Sequence, residues 1–185
     1  MLPSRTPHVN APTAFRQQLL TTIPRLRRYA RSLVFDTSTA DDLVQTALER
    51  ALAHWHQFDQ RRDILVWVIS IAHNAFMDDR RRHSRVFPVE PLEMQDGPDA
   101  VESALPDPGL RMDLMSALSR LSVEQREPLL LVTLEQLSYA ECAEVLRIPV
   151  GTVMSRVSRG RAALRALLDG HAPSPTGTRG LRRVV

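Results

Sequence analysis

The sequence predicts an all-α fold, arranged as two small helical domains joined by a flexible linker. Apolar residues recur at helical spacing through most of the chain, no stretch alternates with the period of two that a half-buried strand needs, and one proline-rich interval interrupts the pattern. With 185 residues the chain is long enough for one or two domains. The division expected is a disordered tail at 1–12, a first domain at 13–85, a linker at 86–109, a second domain at 110–169 and a flexible basic tail at 170–185.

The first helix is expected from Phe15 to about Phe35. Leu19, Leu20, Ile23, Leu26, Tyr29, Ala30 and Leu33 fall on its inner face, and Pro24 marks a start or a kink because proline lacks the amide donor. Asp36-Thr37-Ser38-Thr39 reads as a turn and cap. A second helix then runs from Ala40 to Trp55 with Leu43, Ala47, Leu48, Ala51 and Leu52 inward, and Asp41 and Asp42 near its positive end. The polar loop Gln57 to Asp63 leads to a third helix, Ile64 to about Arg82, with Trp67, Val68, Ile71, Ala72, Ala75 and Phe76 on its buried side.

Pro88, Pro91, Pro98, Pro106 and Pro108, interspersed with Glu90, Glu93, Asp96, Asp99 and Glu102, make the interval after Val86 a solvated tether. Helical spacing resumes from Leu110 to Leu121. Ser122 with Gln125 then has the form of a capping box opening a helix through Leu134.

Ser138 to Arg161, SYAECAEVLRIPVGTVMSRVSRGR, has the pattern of a helix-turn-helix. Ser138 and Glu141 form a second capping box, with Ala140, Ala143, Val145 and Leu146 inward, and Pro149 breaks the period so that a new helix begins near Val150. On that helix Val153 and Val157 point inward, leaving Thr152, Met154, Ser155, Arg156, Ser158 and Arg159 to face outward. A small, polar, cationic helix face suits the major groove, where arginine bonds guanine edges bidentately and serine or threonine bonds base or phosphate. Two short helices with a tight turn also occur in proteins that never touch DNA, and exposed arginines are ordinarily just solvated, so this pattern alone leaves both readings open.

Composition restricts the alternatives. All 24 basic residues are arginine, in clusters at Arg25-Arg27-Arg28-Arg31, Arg80-Arg81-Arg82-Arg85, Arg156-Arg159-Arg161-Arg165 and Arg179-Arg182-Arg183, and these patches rather than the net charge of +3 set the expectation of nucleic-acid affinity. The single cysteine, Cys142, excludes an intramolecular disulfide framework and suits a reducing cytoplasm, where it reads as a small buried side chain. No apolar run reaches the roughly twenty residues that span a bilayer, and MLPSRTPHVNAP has no signal-peptide core, so a cytoplasmic protein without membrane insertion is expected. An enzyme is not expected: His54 and His56 cannot share a helix face, no glycine loop cradles phosphate, and HExxH, CxxC and GxSxG do not occur. No catalytic residue, metal or cofactor is anticipated.

DDLVQ at Asp41 to Gln45, the WxxxxAHN stretch from Trp67 to Asn74, the DRRRHSR that follows, and the LSVEQREPLLL and helix-turn-helix segments occur in an order that resembles extracytoplasmic-function (ECF) sigma factors of the sigma-70 family, over roughly residues 15–168. The resemblance implies that the first domain is sigma region 2 and the second region 4. It implies a non-enzymatic protein that binds core RNA polymerase, directs it to promoter DNA and is held in check by an anti-sigma factor.

Residue by residue, the resemblance puts Asp41, Asp42, Leu43, Val44 and Gln45 on the polymerase-binding helix, though Asp41 and Asp42 also make sense as helix N-terminal charges. It puts Phe58, Gln60, Arg61, Arg62, His73, Asn74, Arg80 and Arg81 against the minus-ten element, where Phe58 and Asn74 help hold a base flipped from the stack. On its chemistry alone, Phe58 reads as a core plug at a helix end. Thr152, Met154, Ser155, Arg156, Ser158, Arg159 and Arg161 fall on the reader of the minus-thirty-five element. Met154 stands where the family often has a cation, and Arg147 where such turns usually place glycine, implying about 1–2 kcal/mol of strain if left-handed.

Two other functions fit parts of the pattern. A response-regulator output domain ends similarly but follows an α/β receiver, and no alternating strand–helix pattern precedes this one. A sigma-mimicking regulator that binds an anti-sigma factor without touching DNA would be expected to lose the cationic face carried here by Arg156, Arg159 and Arg161.

Overall fold

A computed structural model of the chain describes residues 11–86 and 108–170, without the side chains of 83–86, 108 and 111. Helices α1 (Thr13–Val34), α2 (Thr37–Ala53) and α3 (Ile64–Val86) form one group, with a 3-10 turn at Trp55–Gln57 after α2. Helices α4 (Pro108–Ser119), α5 (Val123–Thr133), α6 (Tyr139–Leu146) and α7 (Val150–Leu168) form the other, and no strand occurs among the described residues. The predicted all-α, two-domain class is therefore the class observed. Most of the predicted linker and most of each predicted tail lie outside the described residues, as do Arg179, Arg182 and Arg183. Ala11, assigned to the N-terminal tail, is buried against the core.

Helix α1 runs through Pro24 without ending there. The lost amide is outweighed by one continuous buried face: Leu26, Tyr29, Ala30 and Leu33 are all fully buried, each large side chain contributing about 1.5–3 kcal/mol. Leu20, expected on that face, is instead 62% exposed. Phe35 ends the helix in the left-handed region at φ 60°, and its amide donates to the Arg31 carbonyl. That conformation costs an L-residue about 1–2 kcal/mol.

Helix α2 begins at Thr37 rather than Ala40, because Asp36 is the true N-cap: its carboxylate accepts the Thr39 amide at 2.6 Å. Asp41 and Asp42 consequently sit beyond the first turn, where the helix dipole has little effect, and Asp41 faces Arg27 of α1 at 3.5 Å. Alanines Ala40, Ala47 and Ala51 of α2 and Ala72 and Ala75 of α3 are buried, and their small side chains let the three helices approach closely.

In the second group, Leu130, Leu131, Leu137, Cys142, Val145, Leu146, Val153 and Val157 form the interior. Ala140, predicted inward, is exposed. The Ser138–Glu141 capping box is made in both directions, whereas Ser122 gives no side-chain cap and its carbonyl instead accepts the Gln125 and Arg126 amides. Arg147 closes α6 at φ 54°, the left-handed conformation its place in the turn implied. The two groups pack along a seam, α1 against α5 and α3 against α6.

Candidate nucleic-acid interface

Helix α7 is built to present one face. Val153, Val157 and Gly160 are buried against α5, and a Cβ at Gly160 would stand 3.0 Å from the Gln125 carbonyl oxygen, so the helices cross at near-minimal separation. The opposite face carries Met154, Ser155, Ser158, Arg159 and Arg161 in the exposed class, with Thr152 and Arg156 half-buried. Of the seven residues predicted as the minus-thirty-five reader, five are thus exposed, while Thr152 and Arg156 border the buried stripe of the helix. Arg159 folds along it, donating to the Ser155 carbonyl at 3.2 Å, and Arg156 is tied to Glu124 of α5 at 3.1 Å.

The predicted minus-ten residues are not gathered in this way. Gln60, Arg61, Arg62, Arg80 and Arg81 are exposed and Asn74 is half-buried. Phe58 is buried, its ring packed 5.2 Å from Trp67 and 5.8 Å from Phe15 between centroids. In this arrangement its face is covered and offers no platform for a flipped base. The reason is ordinary aromatic burial in a cluster that also holds the α3 start onto α1. His73, predicted near phosphate, is likewise buried, with Nδ1 2.6 Å from Glu127 Oε1 on α5. Arg62 is engaged by Glu144 of α6. On the predicted polymerase-binding segment, Asp42 and Gln45 are exposed and Asp41 half-buried, while Leu43 and Val44 are buried and hold α2 in place.

Three residues of the second group that the sequence reading left unassigned dominate the seam. Glu127 Oε1 accepts the Tyr29 hydroxyl at 2.6 Å as well as facing His73. Burial, reinforced by the Glu127 charge, pushes the Tyr29 hydroxyl well above its ordinary pKa, so it stays protonated and donates. Glu135, fully buried, accepts Arg25 Nε at 3.0 Å and Arg28 Nε at 3.2 Å. Arg126 donates to the Leu33 carbonyl at 2.9 Å and lies 4.6 Å over the Phe35 ring, its own pKa lowered to about 10 chiefly by burial. The signal for these residues was available only as charge within α5 and in the turn that follows it. Their partners lie 54 to 110 positions away and cannot be read from local pattern. Among the described residues no cluster of His, Cys, Asp or Glu could hold a metal, and no helix is long and apolar enough to cross a membrane.

Residues 111–164 match the family model "Sigma-70, region 4" and residues 19–73 match "Sigma2 domain of PhyR". The chain is 35% identical over 161 residues to the ECF RNA polymerase sigma factor EcfG of Rhodopseudomonas palustris, covering 84% of this chain and 85% of that protein. Its fold is similar to that of the sigma factor RpoE of Bartonella quintana, solved with the anti-sigma factor NepR: TM-score 0.73, 31% identity, 85% of this chain and 98% of that one. The PhyRSL protein of Sphingomonas sp. Fr1, solved with NepR, shares the fold at 21% identity and TM-score 0.63, over 88% and 94% of the two chains. With both domains matched and a relative 35% identical over 84% of this chain, the chain belongs to the ECF sigma factors of the sigma-70 family.

Proposed function

We propose that this chain binds core RNA polymerase through the outer face of α2, around Asp41, Asp42 and Gln45, and directs it to promoters whose minus-thirty-five element is read by α7. The observation that carries this reading is the outward alignment of Thr152, Met154, Ser155, Arg156, Ser158, Arg159 and Arg161 on a helix anchored beneath by Val153, Val157 and Gly160. Leu43 and Val44 act by holding α2 in the core rather than by contact in this arrangement. The first domain contributes the minus-ten contacts through Gln60, Arg61, Arg62, Asn74, Arg80 and Arg81. Phe58 and His73 join them only if local rearrangement uncovers them. Arginine contacts to phosphate add a sequence-independent term that weakens with salt.

An anti-sigma partner acting in the cytoplasm belongs to the same reading, supported by relatives that were solved in such complexes. The match of residues 19–73 to the PhyR domain supports a second reading, an anti-sigma-binding mimic that does not engage DNA. The cationic outer face of α7 favours the first. Run-off transcription with core polymerase on the DNA upstream of the chain's own gene separates the two. Promoter-dependent transcript supports the sigma factor, and no core complex at all overturns it. Arg159→Ala should cost about 1–3 kcal/mol of discrimination at one base position. Unchanged base preference would remove Arg159 from the reading face.

A further inference from the structure

The first turns of α7 are apolar where its last turns are cationic. Six large apolar side chains are exposed among the described residues, and Val150 (42%) and Met154 (51%) are the one pair of them a single turn apart on a helix. Neither belongs to the core or packs against it. A single exposed apolar residue needs no explanation, but two in register form a short stripe. That stripe continues through Ser158 to Arg161 and Arg165, all exposed, so one side of the helix passes from apolar to cationic along its length.

Charge is missing from the start of this face. Val150 to Ser155 include no ionisable group, Arg156 is held by Glu124, and Arg159 lies back along the helix on the Ser155 carbonyl. Gly151 adds an independent observation. Apart from its chain neighbours and the helix backbone, no described atom lies within 4 Å of the place a Cβ would take there, so packing does not call for glycine, and glycine weakens a helix. What the bare backbone allows is close approach by a surface outside the chain.

We infer that Val150 and Met154 select thymine in the minus-thirty-five element by seating its 5-methyl groups in the major groove. The inference deepens the α7 reading proposed above and rests on it. The thymine methyl is the apolar group that base edges present in that groove, so an uncharged helix start can tell bases apart only through it and through neutral hydrogen bonds from Thr152 and Ser155. Met154 lies four residues, about 6 Å, beyond Val150, close to two base-pair steps of about 3.4 Å. The two side chains therefore address neighbouring base pairs. Methionine is unbranched and adapts to an irregular apolar surface, which suits a row of methyls. Farther along, Arg161 and Arg165 fall where the helix leaves the groove and meet phosphate.

The test uses the full-length chain, alone and with core polymerase, on a duplex pool carrying a randomised stretch. Sequences enriched by the wild type should carry thymine at one or two fixed positions. Replacing such a thymine by deoxyuridine removes only the methyl and should weaken binding about fourfold per position. That ratio should persist as salt is raised, because a methyl contact carries no charge, while binding as a whole falls. Val150→Thr and Met154→Gln keep the side chain's size and remove its apolar end. Each should lose the deoxyuridine penalty at one position, with helix content by circular dichroism unchanged. Equal binding of thymine and deoxyuridine duplexes by the wild type, enriched sequences without a fixed thymine, or a penalty that survives in both variants overturns the assignment and leaves the α7 reading standing. Enrichment of no sequence, with or without polymerase, overturns both.

Discussion

The two surfaces assigned to DNA differ in readiness. The α7 face stands outward, backed by Val153, Val157 and Gly160, and each polar side chain on it is reachable from solvent. On the first domain, Phe58 is packed between two aromatic rings, His73 is bonded to Glu127 and Arg62 to Glu144. One candidate surface is presented by its own domain. The other is held by contacts, two of which come from the opposite domain, so the two surfaces depend on different sets of residues.

The largest expected effect comes from cutting what holds the second. Glu127→Ala leaves the buried Tyr29 hydroxyl and His73 without their shared acceptor and should destabilise the closed chain by about 3 kcal/mol, read as a lower urea midpoint. Non-specific DNA binding by the α7 face should not fall, and a parallel fall would erase the distinction drawn here. Gly160→Val acts on the other surface: its branched side chain meets the Gln125 carbonyl, forcing α7 off α5 at a cost of about 1–3 kcal/mol. Binding to a minus-thirty-five duplex should weaken in this variant, with helix content by circular dichroism unchanged.

Ser138→Ala removes the α6 cap and should cost about 1 kcal/mol in thermal unfolding. Acid sharpens the same point in both domains. The Glu141 carboxyl is held below its ordinary value first by the Ser138 hydroxyl, and the Asp36 carboxyl first by its hydrogen bond with Thr39. Both folded-state values are depressed, so their stabilisation is complete above the unfolded values and fades as pH drops through the folded ones. Amide exchange should therefore accelerate together at the starts of α2 and α6 on acidification, and Asp36→Asn should abolish the acid response at α2 alone. The smallest change is expected at Cys142, whose thiol is pushed up to about 12 by burial and then by Glu127. It should resist iodoacetamide at pH 8 in the native protein and react once urea opens the fold.

Legibility in the sequence followed the range of the interactions. The α6–turn–α7 unit could be read almost residue by residue, since a capping box, a proline and a run of spaced valines are local, and the left-handed Arg147 followed from its place between two helices. The start of α2 was missed by three residues because Asp36 to Thr39 reads as a turn and cap taken together, and only the bond from the Thr39 amide to Asp36 shows that the cap is Asp36 and the next three residues are already helix. Ala140 and Leu20 were placed inward by helical periodicity alone, which cannot show where a neighbouring helix stops covering a face. The seam was invisible for a deeper reason. A glutamate such as Glu135 reads as a solvated charge until Arg25 and Arg28, more than a hundred residues earlier, are seen beside it. The buried state of Phe58 was available from its chemistry, which favoured a core plug, and the family resemblance pointed toward its functional role instead.

Gln125, Arg126 and Glu127 are consecutive, and each is committed in a different direction: the Gln125 carbonyl lies under Gly160 of α7, Arg126 caps α1, and Glu127 joins Tyr29 and His73. One turn of α5 thus seats α7 and also makes the seam between the two helical groups. A substitution in this turn is expected to disturb both at once, whereas the outer face of α7 and the arginines of α1 can be changed one at a time.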